Sequence, residues 1–153
     1  MNDLRLGVRT LLLRVLSIAI IGCSTLDTQV GQARQKSLYD RLGGKPGITA
    51  VIDQFVANVA NDKRINERFA TTDISRLKRN LVDQVCMASG GPCAYTGRDM
   101  KTTHAGMKIT TADFSALVED LVASLDKFEV SEPEKKDLLG ILGPMKKDIV
   151  ELP

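Results

Sequence analysis

Apolar side chains in this chain recur every three or four residues in four separate stretches, and they do not alternate with polar ones every second residue. Ile48, Val51, Ile52, Phe55, Val56 and Val59 form the first stripe, and Ile74, Leu77, Leu81, Val85 and Ala88 the second. Phe114, Leu117, Val118, Leu121, Val122, Leu125 and Phe128 form the third; Leu138, Leu139, Ile141, Leu142, Met145 and Ile149 form the fourth. That period puts each set on one side of a helix. Hairpin signatures are missing, so a sheet has nothing to start from. The pattern predicts an all-α domain, four substantial helices with short connectors packed around one core. With no Trp, two Tyr and four Phe, that core must be mainly aliphatic.

The punctuation agrees. Ser37 to Leu42 makes a short helix stopped by Gly43-Gly44, and Pro46 suits the first turn of the next. Asn61-Asp62 ends that helix, and Ile65 to Phe69 is long enough for a turn or two. Asp73 is a good N-cap for the second stripe, which Gly90-Gly91-Pro92 terminates. Residues 92–99 read as a loop, and Met100 to Gly106 as a short segment. Thr110 caps the third stripe. Ser131-Glu132-Pro133-Glu134 reads as a capping box for the fourth, which Pro144 should kink.

The first 22 residues are different. Arg5 and Arg9 precede Leu11-Leu12-Leu13 and a run from Val15 to Ile21 broken by Ser17. The run is shorter than the roughly 20 residues a membrane span needs and fits the apolar core of a cleaved signal. Ile20-Ile21-Gly22-Cys23 resembles a bacterial lipobox, in which Cys23 is the lipidation site. Arg14, a charge within the apolar run, opposes that reading, and a frayed extension or a misassigned start is the alternative. The expected organisation is a lipoprotein signal at 1–22, a polar tether at 23–36 and a folded domain at 37–153. An exported, membrane-anchored protein on the periplasmic side follows; without the signal, the protein is cytoplasmic.

Cysteine use fits export. Cys86 and Cys93 flank the turn Ser89-Gly90-Gly91-Pro92, which makes them a disulfide candidate outside the cytoplasm. Two independent thiols, with Cys86 as a small buried apolar group, are the alternative.

Charge and motifs exclude several functions. There are 21 Lys and Arg against 19 Asp and Glu. Arg5, Arg9, Arg14 and Asp3 all precede residue 23, so the remainder is neutral, with no footprint for nucleic acid and no basic stripe for lipid. G-x-S-x-G, a P-loop, G-x-G-x-x-G and CxxCH are all missing. No zinc-type spacing joins the cysteines to His104, the single histidine. Taken alone, His104 is more readily a partly exposed or hydrogen-bonded core residue than a ligand.

Its setting says more. Leu38-Tyr39-x-Arg41-Leu42-Gly43-Gly44, Phe69, Gly90-Gly91-Pro92, Tyr95-Thr96-Gly97-Arg98-x-Met100 and His104-Ala105-Gly106-Met107-x-Ile109 occur in that order. This series resembles the group 1 truncated haemoglobins from about Ser37 to Val150. The resemblance implies a truncated globin-like two-over-two helical sandwich holding haem b. His104 corresponds to the proximal iron ligand, Phe69 to the aromatic on the haem face, and Met100 to an apolar haem contact. Tyr95, Thr96, Arg98 and Lys101 fall near the region where such proteins meet the haem propionates, which a cation would pair with.

The distal side departs from the pattern. Family members that hold oxygen tightly place a Tyr on the second helix and a Gln on the next; the matching positions here are Val56, Leu77 and Leu81. None can donate the hydrogen bond that stabilises bound oxygen by roughly 1–3 kcal/mol. Asn80 and Gln84 lie towards the edge of that face. The expectation is a pentacoordinate haem protein that binds a diatomic gas (oxygen, carbon monoxide or nitric oxide), with no electron donor identified. A nitric oxide dioxygenase and a haem-free interaction module using the same fold are the competing readings.

Overall fold

The computed structural model describes residues 36–153. The proposed signal, Cys23 and nearly all of the tether lie outside the described residues. Seven α-helices follow in order: α1 Leu38–Arg41, α2 Gly44–Asn61, α3 Ile74–Ala88, α4 Met100–His104, α5 Thr111–Lys127, α6 Glu132–Leu142 and α7 Lys146–Ile149. Single 3-10 turns occupy Asn66–Phe69 and Gly143–Met145. Among the described residues there is no strand, and one isolated bridge pairs Thr110 with Leu152.

Local chemistry explains most boundaries. Ser37 and Asp40 close a reciprocal cap on α1, and Gly43, at φ 81°, turns the chain into α2. Asp73 accepts from Arg76 N at the start of α3. Thr110 and Asp113 form a capping box on α5. The box expected at Ser131 does not form: no side-chain cap bond is made there, and the Glu134 carboxylate pairs instead with Arg41, 2.7 Å away. Pro133, lacking an N–H, removes one group that a cap would have served. The disruption expected at Pro144 takes the form of a 3-10 turn that separates α6 from α7.

Helix α2 is the hub, packed against both α3 and α5. Its buried residues are Ile48, Val51, Ile52, Phe55, Val56 and Val59, the predicted stripe. They join Val82, Val85 and Cys86 of α3, Ala116, Leu121 and Leu125 of α5, and Leu138 of α6 in one core. This is the expected two-over-two arrangement.

The buried face of α3 differs from the predicted one. Val82, Val85, Cys86 and Ser89 are buried, while Ile74 is 40% exposed and Leu77 and Leu81 are half-buried. The helix carries two neighbouring apolar faces, and α2 covers the one that holds Val82 and Val85. Leu77, Leu81 and Gln84, at three- and four-residue spacing, share the other. Cys86 and Cys93 are bonded through sulfur, with Cα atoms 5.7 Å apart, so the end of α3 is tied to the loop that leads to α4.

Candidate functional site

His104 is the last residue of a five-residue helix. Asp99 caps the first turn, accepting from Thr102 N at 2.8 Å and Thr102 Oγ1 at 2.7 Å. These bonds, the backbone N–H first, hold the Asp99 carboxyl below its ordinary pKa. The half-buried imidazole turns back on its own helix, and Nδ1 lies 2.8 Å from Met100 O. A carbonyl only accepts, so Nδ1 carries a proton, and in the neutral ring Nε2 then keeps its lone pair. That is the tautomer of a metal-ligating histidine whose other nitrogen is oriented by a backbone carbonyl.

Past His104 the chain bends sharply. Met107 N returns to His104 O at 3.1 Å, and Gly106 and Lys108 have φ of 79° and 53°. The left-handed conformation at Lys108 is uncommon for a residue with a side chain. Several bonds fix it. The Glu151 carboxylate accepts from Gly106 N at 2.7 Å and Lys108 N at 2.5 Å. Arg68 donates to Met107 O at 2.9 Å and pairs with Asp113 at 2.7 Å. Glu151 was missed in the sequence, because the signal for it is a fold contact across more than forty residues and leaves no local pattern.

The remaining predicted residues lie on α2, the Asn66–Phe69 turn, α3, α4 and the loop before α4. Val56 is buried on α2. Phe69, ending the 3-10 turn after Arg68, and Leu81 on α3 are half-buried against the core. Leu77 and Met100 are half-buried, and Arg98 and Lys101 are exposed. Tyr95 is turned onto its own loop: its hydroxyl donates to Arg98 O at 2.7 Å. A Cβ at Gly97 would sit 2.3 Å from that hydroxyl, so the Tyr-Thr-Gly sequence is a self-closing turn in which the glycine admits the ring. Gln84 is buried rather than peripheral. Its amide nitrogen lies 3.4 Å from Met145 Sδ and 3.8 Å from Met100 Sδ, which leaves it paired with two weak acceptors.

Among the described residues no three His, Cys, Asp or Glu gather around a metal position. One imidazole whose Nδ1 is engaged by Met100 O suits a metal that arrives with its other donors in a planar organic ligand.

Comparison with known proteins decides the family. A sequence profile described as Bacterial-like globin matches residues 37–151. The chain belongs to the bacterial-like globins, among the group 1 truncated haemoglobins. It is 32% identical over 118 residues to "Group 1 truncated hemoglobin GlbN" of Mycolicibacterium paratuberculosis, covering 77% of this chain and 87% of that one. A Nostoc sp. relative of the same name is 33% identical over 110 residues, covering 72% and 93%. Among solved structures, the Fe(III) form of the Tetrahymena pyriformis truncated haemoglobin superimposes with a TM-score of 0.72 at 28% identity, covering 75% of this chain and 98% of that one. A 2/2 haemoglobin from Synechococcus, solved in the cyanomet state with covalently attached haem, gives 0.71 at 29% identity, covering 75% and 98%. The all-helical sandwich expected from the sequence is the fold these proteins share.

Proposed function

We propose that this globin binds haem b through His104 Nε2 and presents an open coordination position to a diatomic gas. The observation that carries the reading is the His104 Nδ1–H bond to Met100 O, which commits one ring nitrogen and leaves the other as a ligand. Family membership supplies the cofactor. Haem, when bound, would supply an iron centre able to take a small gas. Met100 lies on the helix that carries His104. Val56, Phe69, Leu77 and Leu81 supply an apolar lining that excludes water. Arg98 and Lys101, exposed at the start of α4, are placed to pair with the propionates.

The distal residues set the chemistry. Val56, Leu77 and Leu81 donate no hydrogen bond, and the Gln84 amide is held by two thioethers. Oxygen, whose binding develops negative charge, is retained weakly, while carbon monoxide loses less. The same apolar lining disfavours nitric oxide oxidation, which requires retained oxygen. The oriented imidazole disfavours the haem-free module.

We further propose that the domain is exported and anchored through lipid on Cys23. The Cys86–Cys93 bond supports an oxidising compartment. Membrane fractionation of the full chain and of Cys23→Ser tests this: equal release of both into the soluble fraction contradicts it.

Hemin titration of the full chain tests the main reading. A stoichiometric Soret band is expected for the wild-type chain, and its loss or marked weakening in His104→Ala. An unchanged spectrum in that variant contradicts the assignment.

A further inference from the structure

We infer that Glu151 is a positioning residue for His104, fixing through the loop at 105–110 how the imidazole Nε2 is presented. The inference rests on the reading of His104 as the iron ligand.

Helix α4 is a single turn, and a lone turn is unstable in water. Both of its ends must be held from outside. Asp99 holds the first end. At the other end no helix continues: Ala105 leaves at ψ 125°, and Gly106 and Lys108 enter the left-handed region. A side-chain-bearing residue keeps such a conformation where its surroundings over-determine it, and that situation recurs at functional sites.

At Lys108 the surroundings are Glu151. One carboxylate oxygen takes Gly106 N–H and the other takes Lys108 N–H, bracketing Met107. The tail that carries Glu151 is itself fastened. Glu151 N and Leu152 N donate to Ile109 O at 2.9 and 3.0 Å, and Thr111 N donates to Leu152 O at 3.1 Å. Helix α7, immediately before the tail, packs against α4. Arg68 holds Met107 O by a separate bond. The C-terminal residues thus clasp the turn on which the proximal histidine ends. Without the carboxylate, two amides lose their acceptor and Lys108 loses the contact that keeps it left-handed. The imidazole then keeps the Met100 bond, while the chain after it is held at Met107 by Arg68 without the clasp on Gly106 and Lys108.

The test uses the full chain reconstituted with hemin, with Glu151→Ala, Glu151→Gln and His104→Ala. Two quantities are read: the iron–histidine stretching band of the ferrous, ligand-free form by resonance Raman, and the rate of hemin loss to an acceptor protein. Glu151→Ala is expected to shift and broaden the band and to speed hemin loss by about tenfold, the lower end for loss of an orienting partner. Glu151→Gln should fall between it and wild type. Adding Lys108→Gly, which suits a left-handed position, should recover part of the wild-type band in either background. This rescue also serves if Glu151→Ala alone folds poorly. A purely structural role would lower thermal stability and leave the band in place. A wild-type band and rate in both Glu151 variants, with the band absent in His104→Ala, overturns this inference while sparing the ligand assignment. A band that survives in His104→Ala overturns the ligand assignment itself.

Discussion

Leu81 and Gln84 show how much of the site's chemistry turns on single side chains. Leu81 is half-buried on α3 against the core and offers no hydrogen bond. Leu81→Gln places a donor on that face and should slow oxygen release by about ten- to a hundredfold, equivalent to a bond of roughly 1–3 kcal/mol. Carbon monoxide release, followed by the same flash-photolysis experiment, should change far less. Equal effects on the two gases would mean that Leu81 acts through packing. At this scale the sequence was informative about His104 only through its neighbours. A lone histidine is ambiguous, whereas Tyr95-Thr96-Gly97 and Met100 to Ile109 form a recognisable setting. Gln84 could not be placed, because a polar residue in an apolar stripe reads as its edge. Its burial against Met100 and Met145 depends on where α4 and the turn before α7 come to rest.

Among the elements, α2 was readable, while α3 and α5 were readable only in part: on α5 Leu121 and Leu125 are buried as expected, but Phe128 is exposed and Ala116 and Ser124 are buried instead. The α2 stripe and its buried face coincide because the helix has a single apolar face. Helix α3 has two adjacent ones, and periodicity alone does not tell which of them α2 covers. The caps give quantitative expectations. Thr110 Oγ1 accepts from Asp113 N at 3.0 Å, and Asp113 returns to Thr110 N at 2.8 Å. Thr110→Ala should cost about 1 kcal/mol in urea unfolding. The bridge between α3 and the following loop closes a short ring, and Cys93→Ser should cost about 2–3 kcal/mol on the loop-entropy account. Equal stability of the oxidised and reduced wild-type chains would contradict that expectation.

For the whole molecule, acid sensitivity follows from carboxylates that hold elements together. Asp99 is held below its ordinary pKa by Thr102 N–H first, Asp113 by Thr110 N–H first, and Glu151 by Gly106 N–H first. Each binds its proton less readily folded than unfolded. Their contribution to stability is therefore complete above the ordinary carboxylate pKa and is lost as pH falls through the lower folded values. Asp120 behaves oppositely. Burial raises it, and its Oδ2 is buried without a partner. It favours the folded state at low pH, and that contribution disappears as pH rises through its raised value. Asp120→Asn should raise the melting temperature at neutral pH, with the gain vanishing near pH 3. A gain that persists in acid would assign the effect to packing. The fold at this scale was legible from four helical stripes and their punctuation. The clasp by Glu151 and Leu152 was not, since Glu-Leu carries no local signal for a partner at residues 106–111.

The proposed ligation of haem iron by His104 Nε2 is open to a direct spectroscopic test. Because the chain has a single histidine, labelling every histidine with nitrogen-15 labels that ligand alone. Resonance Raman spectroscopy of the ferrous, gas-free protein reads the bond directly. One iron–histidine band is expected, with five-coordinate marker bands, and it moves to lower frequency on labelling. A band insensitive to the label, or six-coordinate marker bands without added ligand, would contradict it.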